Sequence, residues 1–242
     1  MAEASDLVLF VGPVEIRNLR TIQFEHPTDI IMIRGGNTSD EFRTMARQGL
    51  DNIVTKRTGK SLSEFRKVAI SAYSKGGSFT DEVLRVPTIM DRIDAVILND
   101  AVFGSQHEAL REFLTLAASG DRLMVITSTN NKASVNLPKR ARESVLELIG
   151  PDRDSLSQVS PGASMPTPSG GVWNEGGFYW YDYVKPNGVN DIEHGAHHDL
   201  AEDTWEAHLV PYFGSGGGPA GLLKFFQRTT VIGAAIRMGK NK

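Results

Sequence analysis

The chain has no cysteine among its 242 residues. This absence excludes disulfide bonds, cysteine nucleophiles and cysteine-ligated zinc, and it is typical of proteins from reducing compartments. The formal net charge is only −3, so there is no global electrostatic reason to expect nucleic-acid binding. The sequence has no apolar run long enough to cross a bilayer, and its first residues, which are acidic before a short apolar run, do not fit a secretory signal. We therefore expect a cytoplasmic globular protein.

Nucleotide-binding motifs are missing as well. No G-x-G-x-x-G follows the first apolar run, and the chain has no P-loop. The first 150 residues instead alternate between short apolar runs and amphipathic segments. Strands are predicted at 7–11, 21–24, 29–36, 67–72, 93–100 and 122–129, and helices at 38–54, 78–87, 105–118 and 137–150. This alternation predicts an α/β fold of three layers, with a mostly parallel sheet and helices on both faces.

The second half of the chain is less regular. Proline, serine and glycine dominate residues 151–177, which predicts a long functional loop. A strand follows at 178–184, and a helix is expected to begin near Asp199. We therefore expect one domain over 1–213 and, over 214–242, a glycine-rich linker with a basic apolar segment.

The stretch from Val68 to Phe79 reads VAISAYSKGGSF and places Ser74 between a predicted strand and a predicted helix. Small residues flank the serine, with Ala72 two positions before it and Gly76 two positions after it. This small-x-Ser-x-small pattern is typical of a nucleophile elbow, a strained turn that lifts one hydroxyl clear of the sheet. The alternative is an ordinary turn between a strand and a helix.

An activated serine needs a general base and an acid that orients the base. Asp100 ends the next predicted strand, at the edge of a parallel sheet where catalytic groups collect. The alternative for Asp100 is a turn or helix-capping role, and Asp152 and Asp154 are weaker candidates for the acid. The base is expected in the loop after the last strand, where three histidines lie: His194, His197 and His198.

Three motifs together resemble the α/β-hydrolase superfamily: SAYSKGG, LNDAVFG and GAHHDL. The resemblance covers residues 5–213 by the order of elements. It implies a serine esterase or lipase-like enzyme without a cofactor, in which Ser74, Asp100 and His198 form a catalytic triad, with His197 as the second choice for the base. Two departures are clear, because Ala72 replaces the first glycine of the elbow, and the acid follows an earlier strand than is usual in the superfamily.

The resemblance also implies an oxyanion hole and a substrate pocket. The backbone N–H of Lys75 is the expected first donor, and the second is expected from Gly36 or Asn37, in the loop after the run IIMI. Tyr73 and Trp173 are the expected substrate-binding side chains, with the 151–177 loop shaping the pocket. The implied substrate is a small-molecule or lipid-like ester, although thioesters and amides also fit.

Two other functions stay open at this stage. Residues 191–199 are rich in metal-ligand types and include His194, His197 and His198, which suggests a metal-dependent hydrolase, although no known spacing of metal ligands is matched. A hydrolase fold can also serve as a binding or structural module. In that case residues 222–242 would dock on a partner subunit or an anionic membrane surface, unless they pack on their own domain.

Overall fold

An eight-stranded sheet runs through the protein in the order β2-β1-β3-β4-β5-β8-β7-β6. The computed structural model describes residues 4–36, 38–103, 107–130, 141–162, 164–192 and 199–214. The strands are β1 (Asp6–Gly12), β2 (Thr28–Arg34), β3 (Val68–Tyr73), β4 (Ala95–Asn99), β5 (Leu123–Ser128), β6 (Ser157–Val159), β7 (Val172–Glu175) and β8 (Phe178–Asp182). The first six strands in the spatial order are parallel, and β7 and β6 add an antiparallel extension.

Helices cover both faces of this sheet, as the sequence predicts. They are α1 (Ser39–Ala46), α2 (Leu50–Thr58), α3 (Gly77–Leu84), α4 (Pro87–Met90), α5 (Glu108–Ala118), α6 (Ala141–Ile149), α7 (Leu200–Thr204) and α8 (Val210–Gly214). The helix predicted over 38–54 is in fact two helices, because Gly49 has a φ of 87° and interrupts the run.

Alternate residues of the buried strands face two separate hydrophobic clusters. Leu7, Leu9 and Val11 of β1 pack with the helices α1 to α6, whereas Val8 and Phe10 pack with α7, α8 and the helical turn that joins them. Successive side chains of the strand point to opposite faces of the sheet, and helices cover the apolar side chains on each face. The result is the expected three-layer α/β architecture.

Two sequence expectations are wrong. Residues 21–24 form no strand, because Ile22 and Phe24 bury their apolar side chains against the helices of the second cluster instead of joining the sheet. Residues 151–177 are not one long loop, since they contain the strands β6 and β7, which pair with each other and with β8. The predicted strand over 178–184 is confirmed as β8.

One continuous helical run, Leu200–Gly214, crosses the second face of the sheet, with a π-helical turn at Trp205–Leu209 between α7 and α8. Its start meets the carboxyl end of β4, where the Thr204 hydroxyl donates to the Asn99 side chain at 3.2 Å. Its end meets the amino end of β3, where Lys67 Nζ donates to the Tyr212 carbonyl at 2.7 Å. Within the described part of the chain, no helix has the length and apolar character needed to cross a membrane.

Candidate active site

Ser74 and Asp100 follow two neighbouring parallel strands at the same edge of the sheet. Tyr73 of β3 is in register with Asn99 of β4, so the residues that follow them are also level. We call this edge, where the parallel strands end, the carboxyl edge. Among the described residues, Ser74 (φ 52°) and Asp100 (φ 48°) are the only residues other than glycine with positive φ. Two adjacent left-handed residues at strand ends are a strained arrangement of the kind that gathers at functional sites.

The turn at Ser74 is sharp because the chain passes directly from extended backbone into a helical turn. Tyr73 is extended (φ −119°, ψ 136°), and the helical turn Ser74–Gly76 leads into α3. A Cβ on Gly76 would lie 2.2 Å from the Val11 carbonyl oxygen, and a Cβ on Gly77 would lie 1.8 Å from that of Ala101. Both glycines are therefore required by close backbone contact on either side of the turn. This is the crowding that the small-residue pattern predicts.

The Asp100 carboxylate is held by Thr129, the residue that follows β5. One carboxylate oxygen accepts from the Thr129 backbone N–H at 3.0 Å, and the other accepts from its hydroxyl at 2.7 Å. Both residues are buried, with Asp100 only 1% exposed. The two hydrogen bonds fix the orientation of the carboxylate. Thr129 was missed in the sequence, where the run VITST shows only the end of a strand.

Tyr73 is buried beneath this edge in the second hydrophobic cluster. Burial, together with the smaller effect of the negative charges of Asp100 and Asp199, raises the pKa of its phenol to about 12. The carboxylate of Asp199 is therefore close enough to affect the same phenol as that of Asp100. Tyr73 thus remains a neutral hydrogen-bond donor at physiological pH, but its burial makes it part of the support of the site.

The three candidate histidines, His194, His197 and His198, lie outside the described residues, as does Asn37. The structure does describe Asp199, the residue that follows His198 in the sequence. Asp199 precedes α7 at the carboxyl edge and acts electrostatically on Tyr73 together with Asp100. The assignment of the base stays a prediction.

The two expected oxyanion donors differ in position. Lys75 directly follows Ser74 in the turn, as expected. Gly36 follows β2, and β1 lies between that strand and β3. The Glu41 carboxylate also occupies the space beside Gly36, where a Cβ would lie 1.8 Å from an oxygen of Glu41. Gly36 thus follows the second strand from β3, and the carboxylate beside it carries the wrong charge to assist an oxyanion.

Trp173, the other expected substrate contact, lies on β7, which is four strand positions from β3. Its ring stacks on Trp180 at a centroid distance of 6.5 Å, and its indole N–H donates to the Gly170 carbonyl at 3.2 Å. Strands are about 4.8 Å apart, so β7 is roughly 19 Å from the strand that carries Ser74. The structure therefore does not bring Trp173 to the site.

A cleft of about 460 Å³ opens beside the turn, on the α3 side. Its lining begins at Gly77 and Ser78 of α3 and at Ala101 and Phe103, which follow Asp100. Three arginines on its walls each face a carboxylate: the pairs are Arg43–Asp40 at 2.9 Å, Arg47–Glu82 at 2.7 Å and Arg85–Asp81 at 2.9 Å. The charges of this cleft are therefore balanced within the protein.

Of the residues that suggested a metal site, only Asp191 and Asp199 are described. Asp191 accepts hydrogen bonds from the backbone and the hydroxyl of Ser169, at 2.6 and 2.7 Å. Within the described ranges, no three metal-ligating side chains come together. Asp191 thus has a local structural role.

Comparison with known proteins adds no family assignment: no protein-family model matches the chain, and no curated protein matches it.

Proposed function

We propose that this protein is a serine hydrolase of the α/β-hydrolase type that cleaves carboxylic esters, or related thioesters and amides. The observation that carries the proposal is the left-handed backbone of Ser74, between a buried parallel strand and a helix that glycines allow to pack closely. A non-glycine residue held at φ 52° is costly. Such a conformation is explained when the turn presents a nucleophilic hydroxyl.

In the proposed mechanism, a histidine takes the proton of Ser74 as its oxygen attacks the acyl carbon, and the same histidine gives that proton to the departing alcohol, thiol or amine. Water, deprotonated by the histidine, then attacks the acyl-serine, which releases the carboxylic acid and returns the proton to Ser74. Asp100 orients that histidine and stabilises its charged form. The hydrogen bonds from Thr129 support this role, since they hold the carboxylate in one position. We keep His198 as the proposed base, because its neighbour Asp199 lies near the same phenol as Asp100.

The loop after β1 is a better source of the second oxyanion donor than the loop after β2. β1 pairs directly with β3, and the Val11 carbonyl lies against Gly76 in the turn. Pro13 has no backbone N–H, so Val14 supplies the first backbone N–H after the strand. We propose the amides of Lys75 and Val14 as the two donors, each contributing about 2.7–4 kcal/mol to transition-state stabilisation.

The test combines turnover of p-nitrophenyl acetate and butyrate with labelling by a fluorophosphonate. Wild type is expected to hydrolyse the esters and to carry the label on Ser74. Ser74→Ala is expected to lose the label and at least about 10³-fold in kcat, and Asp100→Asn to lose kcat by a similar factor while remaining folded.

Ser71→Ala is the matched control, because it removes a buried hydroxyl from the same strand. The Ser71 hydroxyl has no hydrogen-bond partner among the described residues, and its loss should leave turnover unchanged. If folded Ser74→Ala keeps the activity of the wild type, or if the label maps elsewhere, the proposal is wrong. A folded wild type with neither label nor turnover would favour the non-catalytic binding module.

A further inference from the structure

A second cleft, of about 290 Å³, opens on the other side of the loop that follows β1. Its apolar lining residues, which we call its floor, are Phe10, Val14, Met32 and Ile33. Its walls are charged and carry Arg20, Arg34, Arg57 and Glu15. A small apolar floor with a few convergent charged groups is the usual composition of a small-molecule site. We call it the arginine cleft.

The charges of the arginine cleft are not balanced. Arg20 pairs with Glu15 at 3.2 Å. Within the ranges that the structure describes, neither Arg34 nor Arg57 forms an ion pair or a side-chain hydrogen bond. This contrasts with the larger cleft beside α3, where every lining arginine has its own carboxylate. The arginine cleft therefore has about two positive charges that no acid of the described chain compensates.

The fold fixes the position of these two arginines. Arg34 is the last residue of β2, in register with Gly12 of β1, and Arg57 lies in the last turn of α2. Gly12 in turn is level with Tyr73, since Val11 is in register with Ala72. Two strand spacings thus separate Arg34 from Tyr73, about 10 Å between Cα atoms. The cleft therefore lies beside the outer strand β2, with Arg34 at the carboxyl edge.

We propose that the arginine cleft binds a dianionic group on a small apolar body, such as a phosphate monoester or a dicarboxylate. Guanidinium groups bind carboxylate and phosphate oxygens in a bidentate manner. Two uncompensated arginines match the two charges of such a group, and the apolar floor accommodates its hydrocarbon part. An anion between them also relieves the repulsion of two like charges.

The binding itself does not depend on any chemistry at Ser74. A further consequence rests on the proposed function: the dianion would be part of the substrate, and its labile acyl bond would reach Ser74 across the loop after β1. The preferred substrate would then be an ester that carries two further anionic charges, such as a p-nitrophenyl monoester of a tricarboxylic acid, over p-nitrophenyl acetate.

The experiment is calorimetric titration of the full chain with phenyl phosphate and with phenylsuccinate at low salt, with neutral benzyl alcohol as the comparison ligand. Wild type and Ser74→Ala are expected to bind at least one of the two anions, more weakly as salt is added. Arg34→Gln and Arg57→Gln should each raise the Kd by at least about tenfold. Lys56→Gln, an exposed neighbour of Arg57 that does not line the cleft, should change the Kd less than twofold.

The two anions distinguish a phosphate site from a dicarboxylate site. The absence of saturable binding of either anion to wild type, or equal binding by both arginine variants, would overturn the proposal. Because Ser74→Ala is titrated as well, a failure of the anion-binding proposal can be distinguished from a failure of the serine hydrolase proposal. Anion binding without ester turnover would leave the cleft assigned and refute the hydrolase, and turnover without anion binding would do the reverse.

Discussion

At the scale of single residues, the backbone at Ser74 makes a prediction that does not depend on the reaction. A residue with a Cβ at φ 52° loses about 1–2 kcal/mol relative to glycine. We expect Ser74→Gly to have a free energy of unfolding about 1 kcal/mol higher than that of Ser74→Ala, since both variants lack the hydroxyl and only the glycine relieves the strain. Urea denaturation of the two variants measures the difference.

The control is the same pair of substitutions at Ser78, four residues along the chain inside α3. In a helix alanine is favoured over glycine by about 1 kcal/mol. The order of stability should therefore reverse between the two positions. An alanine variant that is the more stable at both sites would mean that the turn at Ser74 is not left-handed in solution.

At the scale of secondary-structure elements, the π-helical turn contains a buried histidine that should make the protein sensitive to acid. His208 is fully buried, and its Nε2 lies 2.7 Å from the Tyr181 hydroxyl. Burial lowers the pKa of His208 to about 3, whereas the unfolded chain titrates near 6.5. The unfolded state thus binds more protons in this window, and the stabilising contribution is complete above pH 6.5 and is lost as the pH falls toward 3.

We expect the free energy of unfolding to fall below pH 6.5 by up to about 1.4 kcal/mol per pH unit from this group alone. His208→Gln should be less stable than wild type at pH 7, but its stability should decline less steeply between pH 6.5 and 4. Urea midpoints across this pH range measure both slopes. His26→Gln, in the loop before β2, is the control, and an identical slope in wild type and His208→Gln would contradict the prediction.

The elements also show what the sequence can and cannot predict. All the long parallel strands were predictable, because each contains a continuous apolar run, and all of them except the edge strand β2 are buried on both faces. The strands β6 and β7 were not, since they are short and partly exposed and lie among prolines and glycines. The strand prediction for residues 21–24 was wrong for a different reason. The apolar side chains of Ile22 and Phe24 are partly buried, but they pack against helices and not within the sheet.

For the candidate site, the sequence predicts which residues end a strand but not which strands are neighbours. Ser74 and Asp100 could be placed at strand ends because a strand end has a local signal. The surroundings of Gly36 and Trp173 could not be predicted, because the spatial order of the strands, which puts β1 between β2 and β3 and β7 far from both, does not follow from the chain order. Thr129 and the two unpaired arginines have no local motif at all, since only the tertiary fold gives them their surroundings.

At the scale of the whole molecule, the tyrosines control the behaviour at high pH. All five tyrosines of the chain have a pKa raised mainly by burial; it reaches about 12 for Tyr73 and Tyr179, and it is also raised for Tyr181, Tyr183 and Tyr212. Because the folded pKa exceeds the unfolded value of about 10, their contribution to stability is complete below pH 10 and is lost as the pH rises toward the folded values.

We therefore expect phenolate absorbance at 295 nm to stay low in the folded protein up to about pH 11, and to rise together with unfolding. The free energy of unfolding should fall above pH 10. Lys67 acts in the opposite direction at lower pH, because burial lowers its pKa to about 8 and its contribution grows between pH 8 and 10. A phenolate signal near pH 10 in protein that circular dichroism shows to be folded would contradict the prediction.

The direction of the last helical run has a practical consequence. Phe213 and Tyr212 are held by Arg66 and Lys67 at the amino end of β3, while Ser74 follows the other end of that strand. Six residues of β3 separate the two ends by about 20 Å. A fluorescent reporter placed at Tyr212 or Phe213 would therefore lie on the side opposite the carboxyl edge, about the length of β3 from Ser74.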